Sequence, residues 1–174
     1  SNVFYPTNPA LIISLGLVKI DYKTWLDNLK LAIEYKSLLE KEDVNIKILA
    51  NCAGFGKFEH IENIDTETKL NMIDLNCKAM VNMTDYSLPY MKKGSKIMNI
   101  ASLASYSPLA YANIYASTKA FVRSYSYALH DELKYRGIHV LTVAPYWTKT
   151  EFFDRAETSK KKTVVIFMGS LGSN

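Results

Sequence analysis

The chain has 174 residues, 48% of them hydrophobic and 22% charged, with a formal net charge of +4. That balance excludes a disordered, collagen-like or low-complexity protein and fits one globular domain, residues 1–174, with a buried core. The Lys residues far outnumber the Arg and are spread along the chain, as on a solvated surface, so no nucleic-acid partner is expected. The short cluster Lys160, Lys161 and Lys162 reads the same way. The longest apolar run, Ala10 to Ile20, is too short to span a bilayer. Cys52 and Cys77 fit neither a metal spacing nor a disulfide framework, which predicts a reducing, cytoplasmic setting and no metal.

In chain order, Leu11 to Ile20 reads as a buried strand interrupted at Gly16. Asp21 to Glu42 follows as a helix, with Trp25, Leu29, Ile33 and Leu38 or Leu39 recurring at helical spacing. Ile46 to Ala50 is a compact strand, stopped by the turn-like stretch Asn51-Cys52-Ala53-Gly54-Phe55-Gly56. Thr66 to Met91 is a long helix whose inner face should carry Leu70, Ile73, Ala79 or Met80, and Met83. Gly94 is expected to end it, with Lys92 and Lys93 near the helix C-terminal dipole. Lys96 to Ile100 is another strand, Ile114 to Tyr135 a further helix closed by Arg136-Gly137, and Ile138 to Ala144 a strand broken by Pro145. Strands alternating with helices predict an α/β fold: βαβ units forming a central parallel sheet between helical layers. Ligands in such sheets bind off the carboxyl ends of the strands, at a switch point in strand order. Three loops leave such ends: Asn51 to Lys57, Ala101 to Asn113, and Pro145 to Glu151.

Tyr115 and Lys119 are four residues apart on one of these helices and so share a face. A phenol titrates near pH 10, too high for proton exchange at neutral pH, and a neighbouring ammonium favours its ionised form. One such pair is expected by chance in a chain this rich in Tyr and Lys, so its neighbours decide its meaning. Ser102 stands at the carboxyl end of a strand, where a hydroxyl can hold a substrate oxygen. Asn76 sits in a helix interior, an unfavourable place for Asn. Small residues in the Asn51–Gly54 turn permit close backbone approach to a ligand.

Together, Asn51-Cys52-Ala53-Gly54, Asp74-Leu75-Asn76, Asn99-Ile100-Ala101-Ser102, Tyr115-Ala116-Ser117-Thr118-Lys119-Ala120 and the Pro145 to Thr150 segment resemble the short-chain dehydrogenase/reductase family. The resemblance covers about Leu17 to Arg155 and implies a Rossmann-like αβα architecture. It implies that Tyr115 is an acid/base for hydride transfer between NAD or NADP and an alcohol or ketone. Lys119 would lower the tyrosine's pKa and bind the nicotinamide ribose, Ser102 would orient the substrate oxygen, and Asn76 would hold a relay water. Asn51, Ala53 and Gly54 would line the cofactor's adenosine side, Pro145 and Thr150 its nicotinamide end, and Asp21 would lie near the adenine. A homodimer or homotetramer built on the two long helices is also implied, with Phe121, Tyr125 and Leu129 at helical spacing.

The chain departs from the family pattern in three places. Cys52 replaces an Asn and is expected to be a small buried thiol. Tyr146 replaces a Gly after Pro145, so Tyr146 and Trp147 are expected either to shape the substrate side or simply to pack. Only 20 residues precede Asp21, with no Gly-x-x-x-Gly-x-Gly, so the sheet is expected to be incomplete on its N-terminal side. Three readings follow: an NAD(P)-dependent oxidoreductase, a non-catalytic remnant or interaction protein unable to bind dinucleotide, or a piece of a complete enzyme.

Overall fold

The computed structural model describes residues 17–18, 35–37, 39–41 and 44–146. Four strands form one parallel sheet: β1 (Leu17–Val18), β2 (Ile46–Asn51), β3 (Met91–Ile100) and β4 (His139–Val143), in the order β1-β2-β3-β4. Leu49 pairs with Ile97 and Ile97 with Val140, so these three side chains line up on one face. The described strands run in chain order without a reversal, so the expected switch point is not among them.

Between β2 and β3 the chain forms α1 (Thr66–Ile73), a π-helical segment (Asp74–Ala79) and α2 (Met80–Ser87). Asp65 starts α1, its carboxylate accepting from the Thr68 N–H at 2.7 Å and from the Thr68 hydroxyl at 2.8 Å. Between β3 and β4 lies α3 (Asn113–Leu133), followed by a 3-10 turn, Lys134–Arg136, that stops at Gly137 in the left-handed region, φ 66°. A Cβ there would also stand 2.7 Å from the Lys93 side chain, so glycine is required twice over.

The main core lies between the sheet and the helices. Tyr35 and Leu39, from helical turns in residues 35–41, pack with Leu49, Met83, Ile97, Leu129 and Val140. Ile48 and Leu141 alternate to the opposite face and remain exposed. The Rossmann-like parallel sheet with helices is therefore present, and its described helices supply one covering layer.

Three expectations change. The long helix stops at Leu88-Pro89-Tyr90, and β3 begins at Met91, so Lys92, Lys93 and Gly94 belong to the strand. Proline removes a helical N–H, and Arg136 Nη2 donates to the Leu88 carbonyl at 2.8 Å and to that of Met91 at 3.0 Å. Leu70 and Ile73 are exposed, while Met72, Leu75, Ala79, Met80 and Met83 are buried. The π turn accounts for this, because an extra residue in the turn shifts the helical phase. Cys52 is exposed rather than buried, since it lies just past the last residue of β2; Cys77 is the buried thiol. The expected elements over Leu11–Gly16, Lys19–Glu34 and beyond Tyr146 lie outside the described residues.

Candidate active site

The carboxyl ends of β2, β3 and β4 bring three loops together. Backbone bonds join those after β3 and β4: Ala101 N–H donates to the Val143 carbonyl at 2.7 Å, and Leu103 N–H to that of Pro145 at 3.3 Å. Ser102 caps a short 3-10 turn, Leu103–Tyr106, its Oγ accepting from the Ala104 N–H at 3.2 Å. Its side chain also stands beside Tyr115 and lowers the pKa of that phenol. The serine and tyrosine, 13 residues apart in sequence, thus meet in space.

Lys119 lies one turn beyond Tyr115 on the buried side of α3, with Nζ 5.8 Å from the centre of the tyrosine ring. It is 6% exposed, and Nζ donates to the Ile100 carbonyl at 2.8 Å. Burial lowers its pKa to about 8. Tyr115 is shifted upward by burial, an effect that Ser102 partly offsets. Lys119 is not among the groups that shift the tyrosine; the direction is set by burial, because removing the phenol from water penalises the phenolate. Burial likewise pushes the Cys77 thiol up to about 11, the mark of a packing thiol rather than a reactive one.

Asn76 grips the turn after β2 from both sides. Its Oδ1 accepts from the Phe55 N–H at 3.0 Å, and its Nδ2 donates to the Phe55 carbonyl at 2.9 Å and to Thr118 Oγ1 at 2.9 Å. Both amide hydrogens are thereby engaged, so this side chain acts as a clamp on the turn. The π segment explains how an Asn is tolerated inside a helix: it turns the residue toward a partner that repays its polarity. A Cβ on Gly54 would stand 2.9 Å from Asn76 Oδ1 and 3.3 Å from Lys119 Nζ, so only glycine lets this backbone lie so close.

Asn51, Cys52, Ala53, Asn76, Ile100 and Lys119 line one cleft at these strand ends. Asn51 also braces the sheet, donating to Asn99 Oδ1 at 2.8 Å, while Asn99 Nδ2 donates to Ser126 Oγ at 2.9 Å. Asn99 is fully buried, and its role was not foreseen; a polar residue between Met98 and Ile100 in an apolar strand was the available signal. Pro145 reaches the site through Leu103, and Tyr146 is exposed beside it. Asp21, Trp147 and Thr150 lie outside the described residues.

Apolar side chains, Leu49, Leu75, Met80, Met83 and Val122, make up much of the cleft's wall, while Lys119 and the Asn51 to Ala53 turn supply its polar part, with donors of the kind that would hold a ribose.

Comparisons agree with this geometry. The family model for short chain dehydrogenase matches residues 30–161. Sulfoacetaldehyde reductase 2 of Chromohalobacter salexigens is 34% identical over 111 residues, which cover 62% of this chain and 44% of that protein. The very-long-chain 3-oxoacyl-CoA reductase of Bos taurus is 35% identical over 115 residues, covering 62% of this chain and 36% of its own. Among solved structures, a short-chain dehydrogenase from Sphingobium yanoikuyae in complex with NADPH superposes with a TM-score of 0.64 at 30% identity. That match covers 72% of this chain and 49% of the other. The chain thus spans less than half the length of these relatives. With its family-model match running over most of its length, this chain belongs to the short-chain dehydrogenase family.

Proposed function

We propose that the protein is an NAD(P)-dependent oxidoreductase that interconverts a secondary alcohol and a ketone. The observation that carries this reading is the meeting of Ser102, Tyr115 and Lys119 at the strand ends, beside a cleft that Lys119 itself lines. When bound, the nicotinamide supplies or accepts the hydride. The chain's own residues handle the proton and the positions. Ser102 Oγ holds the substrate oxygen, and the Tyr115 hydroxyl gives that oxygen a proton as a carbonyl becomes an alcohol, or takes one in the reverse direction. The upward shift of Tyr115 keeps the phenol protonated at neutral pH, which suits carbonyl reduction.

Lys119 would hold the nicotinamide ribose, with Asn51, Ala53, Gly54 and Pro145 lining the cofactor and Asp21 and Thr150 completing its contacts. Asn76 serves as a positioning residue through the Phe55 turn. Tyr146 and Trp147 would face the substrate. The same reading includes a cytoplasmic setting and a homodimer or homotetramer; among the described residues no helix is long and apolar enough to cross a membrane.

The test is Tyr115→Phe in the full-length protein. Nicotinamide absorbance with a ketone should show turnover falling by roughly a hundredfold or more, while the circular dichroism spectrum and melting midpoint stay at the wild-type values. Full activity in the variant would refute the mechanism. Absence of both turnover and dinucleotide binding in the wild type would favour a non-catalytic remnant.

A further inference from the structure

Tyr111 has φ 63° and is the only non-glycine residue in the left-handed region among the described residues. For a bulky aromatic this conformation is strained. Burial does not explain it, because Tyr111 is 55% exposed. A contact between two loops holds the residue there: Glu59 N–H donates to the Tyr111 carbonyl at 2.8 Å. The residues flanking Glu59 are both aromatic. Phe58 meets the Tyr115 ring edge-on, centroids 5.4 Å apart at 76°, and packs against it with Phe55 and Leu109. His60 meets the Tyr111 ring at 6.1 Å and 58°. The clasp at Glu59 therefore sets two aromatic contacts side by side, one on the tyrosine of the active site and one at the solvent edge. Tyr111 stands two residues before α3 begins, about one turn ahead of Tyr115.

We propose that Tyr111, held outward by its strained backbone and backed by His60, is a specificity-determining residue whose ring covers a planar aromatic group of the carbonyl substrate. The proposal rests on the oxidoreductase reading above. A flat substrate group lying over the exposed face of the Tyr111 ring gains stacking that a short alkyl chain does not. Stacking of this kind changes binding and leaves the proton and hydride steps alone, so it moves KM rather than kcat.

The variant that separates ring from strain is Tyr111→Gly, since glycine adopts this φ freely and keeps the clasp to Glu59. In the full-length protein with NADPH, KM for 2-acetonaphthalene should rise about three- to tenfold. KM for 2-butanone and kcat for both ketones should stay unchanged, with the melting midpoint equal to wild type or higher. Tyr111→Phe should restore the wild-type KM. An unchanged ratio of the two KM values in Tyr111→Gly overturns the proposal. Should the wild type turn over neither ketone, the oxidoreductase reading fails separately. Direct binding of 2-acetonaphthalene, followed by its fluorescence, then decides this one: equal affinity with and without the ring overturns it, and weaker binding by Tyr111→Gly upholds it.

Discussion

At Lys119, charge and burial oppose each other. The ammonium is almost wholly enclosed, has the Ile100 carbonyl as a partner and titrates near 8 instead of its usual 10.5. A lysine whose folded pKa is depressed binds its proton more weakly in the native state than in the unfolded chain. Below about pH 8 both states are protonated, and the cost of burying the charge is present in full. As pH rises from 8 toward 10.5 the native state loses the proton first and that cost is relieved. Wild type should therefore gain stability relative to Lys119→Met by on the order of 2 kcal/mol between about pH 7 and pH 9.5. Urea unfolding of both proteins at the two pH values measures this, and a pH-independent difference would contradict it. The upward shifts of Tyr35, to about 12, and of Tyr115 act above that window and in the opposite sense. In the same range the lysine changes from a cation to a neutral amine, so a ribose contact that depends on its charge should weaken there too.

Among the elements, the π segment Asp74–Ala79 does most to build the site, since it carries the clamp on the Phe55 turn. Asn76→Ala would leave the Phe55 N–H and carbonyl and the Thr118 hydroxyl without this partner. The expected loss is about 2–4 kcal/mol of unfolding free energy. Dinucleotide affinity should fall further than in a control of equal stability loss away from the cleft, such as Leu133→Ala, because the loosened turn lies on the cofactor cleft. Titration of both variants with NADPH tests this, and equal affinities would make Asn76 a merely structural residue. The same segment marks the limit of what spacing reveals. Strands β2 to β4 were legible because short apolar runs ended in Gly, Pro or small residues, and the Ser102, Tyr115 and Lys119 set was legible because helical and strand-end geometry is local. The inner face of the long helix was not, since an extra residue in the turn shifts the phase that a spacing rule assumes constant. Its end was misplaced for another reason: Arg136, 48 residues from Leu88 in sequence, supplies the capping donor, and the nearby lysines do not. Cys52 follows the same logic, for exposure at a strand end depends on which loops arrive there.

For the whole molecule, the described helices cover one face of the sheet, and their outer surfaces are not uniformly polar. Leu70 and Ile73 on α1 and Phe121 on α3 are exposed, and Phe121 stacks on Tyr125 with centroids 5.9 Å apart at 9°. Apolar side chains held in place on neighbouring helices make a surface suited to a second copy of the chain. Sedimentation of the full-length protein should give a dimer or tetramer. Phe121→Asp should shift it to monomer without changing its circular dichroism, since the side chain reaches solvent in the single chain. A monomeric wild type would overturn the assembly reading while leaving the active site intact. The consequence for chemistry follows from α3 itself: its buried side carries Tyr115 and Lys119, and its outer side carries Phe121. Association through that outer side would restrain the helix that sets the distance between the phenol and the lysine. Phe121→Asp should therefore lower kcat as well as the association constant, with the Tyr115 mechanism otherwise unchanged.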